Sequence, residues 1–274
     1  MPLYYPKKPT QTETKEVIET KTNKFLLTVR TSDTSTMLYI GGLTVWCISC
    51  QVLHNKSVAN MPKIEYNETC SLTGRYKRGI DTIDILALMM AYVHDRFPNV
   101  THITFDDYSW RSCDDQQTID LAPFYYLMYG VTWYMSKMGA TFEKEADAAH
   151  FTDANRRFQQ LKLTMTWTEF DAEVTSAHPL PDSEMRRLYE GSETWPIFFS
   201  KVKEQVSIED LCRYMAPWVK DFVRKHAGLL YESMKMIMPI VGGVPYTISP
   251  FTKRTNGGGG TRKRHRRRRD LDLQ

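Results

Sequence analysis

Residues 25–30 and 37–53 are dense in Leu, Val, Ile, Tyr, Trp and Thr, a composition that predicts strands, and Gly41-Gly42 predicts a bulge or turn inside the second run. The apolar spacing then changes. From Asp81 to Phe97, the residues Ile83, Leu86, Met90, Val93 and Phe97 recur every three or four positions, the spacing of one buried helix face. Asp81 or Thr82 supplies an N-cap, and Pro98-Asn99 ends the helix. Residues 100–105, VTHITF, predict another strand, so strand, helix and strand follow in the order of an α/β layer. After a polar loop at 106–117, Asp120 is expected to cap a helix with Pro123 in its first turn and Leu121, Phe124, Tyr125 and Met128 on one face. Gly130 breaks or kinks it. Residues 132–138 add a further turn or two, ended by a left-handed Gly139.

Beyond Phe142 the spacing stays helical. Phe151, Ala154, Phe158, Leu161 and Met165 share a face, and Thr166-Trp167-Thr168-Glu169 reads as a capping box. Residues 183–189, 195–206 and 207–226 are also predicted helical, the last with Leu211, Met215, Trp218 and Phe222 as its stripe and a kink at Pro217. The predicted organisation is a flexible polar arm (1–23), an α/β domain (24–142), a helical extension (143–244) and an irregular segment with a Gly-rich hinge and an Arg-rich tail (245–274). The fold class is α/β: a mixed sheet with flanking helices, a helical C-terminal extension and a disordered basic tail.

With 274 residues, 42% of them apolar and 12% aromatic, the chain is long and apolar enough for a large core. No run of eighteen apolar residues occurs, so no membrane span is expected, and the N-terminus lacks the apolar segment of a signal peptide. An intracellular protein is therefore expected, and the matches to the glycosylation sequon at Asn67 and Asn99 are read as chance. Cys47, Cys50, Cys70, Cys113 and Cys212 are odd in number and widely scattered, which in that setting predicts free thiols. Cys47 and Cys50 have the spacing of half a zinc site, but residues three apart on a strand face opposite sides, so no metal is expected.

Charge is uneven. Arg262, Lys263, Arg264, Arg266, Arg267, Arg268 and Arg269, against Asp270 and Asp272, give +5 after Gly257 and leave −1, from a total of +4, for the other 256 residues. Such a run on a glycine hinge binds polyanions by counterion release, with little sequence preference and strong salt dependence. Nucleic acid, an acidic protein surface and the nuclear-import machinery are the partners it fits.

Two other places carry candidate chemistry. In Gly74-Arg75-Tyr76-Lys77-Arg78-Gly79-Ile80-Asp81-Thr82-Ile83-Asp84, glycines and basic residues precede a helix, as in a loop that cradles phosphate. Asp81 and Asp84 fall in the first turn, where a carboxylate stabilises its own helix and repels a pyrophosphate. On these grounds a structural cap is favoured. Asp106, Asp107, Asp114 and Asp115 bracket the loop after the 100–105 strand, a position suited to a base or a cation site, although a solvated loop is the commoner outcome. His102, alone on the strand, is expected to be structural.

Residues 74–142 resemble the core of the GNAT N-acetyltransferase superfamily: a Gln/Arg-x-x-Gly-x-Gly/Ala loop, a helix, a strand and a second helix carrying an aromatic-Tyr pair ahead of a Gly. Tyr76 to Asp81, the helix to Phe97, the strand at 100–105, and Trp133-Tyr134 with Gly139 are the counterparts. IDLAPFYYLMYGVTWYMSKMGATF and FDDYSWRSCDDQQTIDL are similar to segments of the GNAT-like proteins of large DNA viruses. The resemblance implies acetyl-CoA as cofactor, held by the backbone of Arg78, Gly79 and Ile80, with Tyr134 as general acid to the leaving thiolate. It also implies a viral protein of host cytoplasm, nucleus or virion. Tyr76 and Asp81 depart from the family loop, and Tyr134 stands five residues before Gly139. The expected function is therefore a degenerate GNAT-like protein, binding or structural, that meets nucleic acid through its tail and needs no cofactor. The alternative is an active acetyl-CoA-dependent N-acetyltransferase.

Overall fold

The computed structural model describes residues 11–64, 67–74, 80–107, 109–114, 117–229, 234–240, 242 and 245–251. Five antiparallel strands come first: β1 (Thr12–Glu19), β2 (Lys24–Thr31), β3 (Ser35–Gly41), β4 (Trp46–Leu53) and β5 (Val58–Ile64). In β3, buried Thr36, Leu38 and Ile40 alternate with half-buried Ser35, Met37 and Tyr39, the period-two pattern of a sheet with one inner face. Tight approach shapes the β3–β4 turn. A Cβ added at Gly42 would lie 1.8 Å from the Thr69 carbonyl oxygen, so only glycine fits there.

Helix α1 (Ile80–Arg96) crosses over to β6 (His102–Phe105), which lies parallel to β5. Leu86, Met90 and Val93 are buried as their spacing predicts, and so are Ile85, Leu88, Met89 and Tyr92. A helix apolar on more than one side is a core helix. The hairpin β7 (Trp110–Ser112) and β8 (Thr118–Asp120) forms a separate two-stranded sheet, followed by α2 (Leu121–Tyr129), α3 (Trp133–Met138) and the short β9 (Thr141–Phe142). Gly130 and Gly139 close α2 and α3 in the left-handed conformation, at φ 73° and 63°. Asp120 occupies the N-cap position of α2 without a capping bond and pairs with Lys220 at 2.8 Å.

Six helices follow: α4 (Glu145–Thr164), α5 (Trp167–Asp171), α6 (Asp182–Glu190), α7 (Trp195–Lys203), α8 (Ile208–Met215) and α9 (Val219–Ala227). The capping box at Thr166 and Glu169 forms with both hydrogen bonds. Near Pro217 the chain breaks into α8 and α9 rather than kinking within one helix, because proline lacks the N–H and crowds the preceding turn. Phe158, Phe170, Tyr189, Trp195, Phe198 and Phe222 form the aromatic centre of this layer. His178 ties it at one side. Its Nε2 donates to Asp171 Oδ1 at 2.6 Å, and its Nδ1 lies 3.2 Å from Tyr214 Oη.

The sheet corrects the predicted organisation at three places. Residues 12–19, expected in a flexible arm, pair along their length with β2 and also with β11 (Thr247–Pro250), itself expected to be irregular. Polar strands of this kind are held by backbone ladders, which apolar patterning does not reveal. The helices α4–α9 are an insertion rather than an appendage. The chain returns after them as β10 (Met236–Pro239), between β6 and β9 in the order β11-β1-β2-β3-β4-β5-β6-β10-β9.

The expectation of free thiols is also corrected. Cys47 bonds Cys70, and Cys113 bonds Cys212, with Cα–Cα separations of 5.8 and 5.4 Å, leaving Cys50 free and buried. Sequence distance hid both pairs, since their partners lie 23 and 99 residues apart and meet only through the sheet and the helical layer.

Candidate functional site at the ends of β5 and β6

Ligands of open α/β sheets bind beyond the carboxyl ends of the parallel strands. Here β5 and β6 pair in parallel from Val58–His102 to Asn60–Thr104 only, although β5 continues to Ile64 and β6 to Phe105. Two groups of polar side chains gather at that end, one at the start of α1 and one just past β6.

At the start of α1, Asp81 is buried in the first turn. The Asn23 side-chain amide donates to Asp81 Oδ1 at 3.3 Å, and Ser71 Oγ donates to Asn23 Oδ1 at 3.2 Å. Thr73 Oγ1 donates to the same Asn23 oxygen at 3.4 Å. The turn before β2, the segment after the 3₁₀ turn at Glu68–Cys70 and the start of α1 are thus joined through the side-chain amide of Asn23. Asp84, one turn on, has its pKa raised by partial burial and by the Asp81 charge. Arg78 and Gly79 lie outside the described residues, and Ile80 is the first residue of α1.

Past β6, Asp107 is buried while Asp106 and Asp114 are exposed; Asp115 lies outside the described residues. Asp107 Oδ1 accepts the Ser109 backbone N–H at 3.2 Å and the Ser109 hydroxyl, whereas its Oδ2 is buried with no hydrogen-bond partner among the described residues. Burial raises its pKa, against the lowering effect of the Ser109 bonds. Tyr134 is buried beside it, its ring 4.5 Å from that of Phe105 and 4.9 Å from that of Trp133. Burial, with the nearby Asp107, pushes the Tyr134 phenol well above its ordinary range. A phenol that holds its proton has the form a general acid needs. His102, half-buried at the opposite end of β6, hydrogen-bonds Thr101 Oγ1 at 2.9 Å and belongs to neither group.

Asn23 and Ser71 could not have been found from sequence, because neither is local to α1. Asp107 was marked as one of four loop carboxylates, but which of them is buried was not, because Thr104, on the side of Asp106, is buried as well as Ile103 and Phe105.

Cys50 has its thiol pushed up to about 12 by burial, so it is not a reactive nucleophile. Among the described residues, no group of three His, Cys, Asp or Glu side chains is placed to share a metal ion, and no helix is long and apolar enough to cross a membrane. The nucleic-acid-binding candidates Arg262, Lys263, Arg264, Arg266, Arg267, Arg268 and Arg269 lie outside the described residues.

No sequence model of a known protein family matches the chain, and neither characterised proteins nor solved structures give a match.

Proposed function

We propose that this chain is a GNAT-like protein that has exchanged acyl transfer for binding, with its Arg-rich tail contacting nucleic acid. The order of elements supports the ancestry. A parallel strand pair is crossed by α1, and Trp133-Tyr134 stands on the helix that ends at Gly139. The observation that carries the loss of acyl transfer is Asp81. Its buried carboxylate, held by Asn23, sits in the helix turn that would face a pyrophosphate, and like charges repel there. The tail supplies the function instead. Seven cationic side chains in eight positions bind a polyanion with little sequence preference.

Two measurements test this reading. Binding of the full chain to a fluorescent oligonucleotide should weaken steeply with salt, and removal of residues 257–274 should abolish most of it. Calorimetric titration with acetyl-CoA at about 0.5 M salt, where tail contacts to its phosphates are screened, should give no saturable heat. One-to-one binding of acetyl-CoA would overturn it.

A second reading, an active acetyl-CoA-dependent N-acetyltransferase, is favoured by one observation: the unused Asp107 oxygen beside the buried Tyr134 phenol. On that reading Tyr134 returns a proton to the departing thiolate. Turnover of acetyl-CoA with polyamine or histone-tail acceptors, lost in Tyr134→Phe, would establish it.

A further inference from the structure

We infer that one face of β1–β4 is a stacking platform for single-stranded nucleic acid, built from Arg30, Tyr39 and Trp46. The inference rests on the contact proposed between the Arg-rich tail and nucleic acid, and adds to it a preference for unpaired bases.

The two faces of these strands differ. Phe25, Leu27, Leu38, Ile40 and Ile48, of one phase, are wholly buried. On the other phase Arg30 lies across from Met37, and Tyr39 lies between Thr28 and Ser49 in register. Trp46, the first residue of β4, joins them. Its ring centroid is 4.2 Å from that of Tyr39. The Arg30 guanidinium carbon is 4.8 Å from the Trp46 centroid and 5.2 Å from the Tyr39 centroid. Trp46 is 38% exposed, and Arg30 and Tyr39 are half-buried. A cluster of Trp, Tyr and Arg open to solvent has the composition of a binding surface.

Its chemistry fits an unpaired base. Aromatic rings stack on a base of any sequence, and an adjacent guanidinium adds a cation–π contact and a charge for the neighbouring phosphate. A sheet with aromatic side chains on its face is how one common RNA-binding module stacks its bases. Charge is complementary as well. Glu13 pairs with both Arg30, at 2.6 Å, and Lys15, at 3.2 Å, so one carboxylate stands against two cations. The tail starts from the same part of the sheet. β11 pairs with β1, and just past it the Phe251 N–H donates to the Lys15 carbonyl at 3.4 Å. Lys15 is in register with Thr28, and Thr28 with Tyr39, two strand spacings or about 10 Å in all. Residues 252–261 separate Phe251 from the basic run, a chain length that reaches about 30 Å when extended. A strand gripped by the tail is therefore within reach of the platform, and its second contact is intramolecular.

The test offers the full chain a labelled oligonucleotide of about 12 nucleotides in three forms: a single strand, an abasic strand that keeps the phosphates, and a duplex. Fluorescence anisotropy should show the single strand bound about tenfold more tightly than the abasic strand of equal charge. Trp46→Ala should lose that difference and leave duplex binding, which the tail supplies, unchanged. The wild type gives a second answer that does not depend on how the variant folds. A single strand carrying 5-bromouracil, irradiated on the protein, should cross-link within residues 31–56, the tryptic peptide that holds Tyr39 and Trp46. Cross-links confined to other peptides would overturn the inference, and so would a difference retained in Trp46→Ala. Equal affinity of the wild type for intact and abasic strands would overturn it too, leaving the face to a protein partner and the tail reading intact. Absence of binding to all three forms would overturn the inference together with the tail reading.

Discussion

The Asn23 side-chain amide donates to Asp81 Oδ1 at 3.3 Å across 58 residues of sequence, so the turn before β2 is tied to the first turn of α1. Replacing Asp81 with Asn keeps a hydrogen-bonding oxygen and removes the charge. Asp81→Asn is expected to fold and to stay within about 1 kcal/mol of the wild type. In calorimetry, weak acetyl-CoA binding should appear in Asp81→Asn where the wild type has none. Absence of binding in both proteins would mean that charge is not what closes the site. Asn23→Ala, which removes one donor from a buried carboxylate and the acceptor of Ser71, should cost about 1–3 kcal/mol in urea unfolding.

Thiol counting separates the cysteines. Of five, Cys50 alone is free, so alkylation under denaturing, non-reducing conditions should modify one cysteine, and modification in the native state should be slow because burial raises that thiol to about 12. Reduction should lower stability by about 3–5 kcal/mol for each bond on the chain-entropy account, more for the 99-residue separation than for the 23. A reducing compartment would dissolve both bonds, so the same count on protein taken from cells reports where the chain folds.

How much of this was legible follows from range. Every predicted helix from Asp81 to Phe222 has a counterpart, since caps such as Thr166 with Glu169, and the left-handed Gly130 and Gly139, are written within a few neighbouring residues. β1 and β11 were hidden, because Thr12–Glu19 and Thr247–Pro250 show weak apolar alternation and owe their state to ladders with distant partners. The insertion was hidden for the same reason: nothing in Met236–Pro239 says that it lies beside His102–Phe105. At the site, residue types were legible and pairings were not. Tyr134 and Asp107 were marked by position, but their adjacency depends on β6 and α3 meeting. The Arg-rich tail is legible as charge alone.

Lys162 is almost wholly buried on α4, donating to the carbonyl oxygens of Tyr189 at 3.1 Å and Ser192 at 2.9 Å, with the Tyr189 ring 3.6 Å away. Burial lowers its pKa from 10.5 to about 8. Between those values the unfolded chain holds more protons than the folded one, so this residue makes stability rise with pH across that window. Lys162→Met removes the effect and takes a charged donor from two carbonyls, of which that of Tyr189 keeps the Ser192 N–H at 3.1 Å, at a cost of about 1–3 kcal/mol. The melting temperature of the wild type minus that of Lys162→Met should therefore increase from pH 8 to 10. A flat difference would mean that the carbonyls and the ring hold the ammonium charged throughout.

Asp107 carries the opposite sign. Its pKa is raised in the folded state by burial, so folded protein holds more protons than unfolded just above the ordinary carboxylate value, and stability falls as pH rises through that range. Asp107→Asn keeps an oxygen for Ser109 and has no charge to bury. At pH 7 it should match the wild type or exceed it, and the advantage should shrink as pH falls toward the ordinary carboxylate value. Urea midpoints of the two proteins from pH 4 to pH 7 measure this directly. A variant less stable at pH 7 would show that the Ser109 bonds outweigh burial and hold Asp107 ionised in the folded chain.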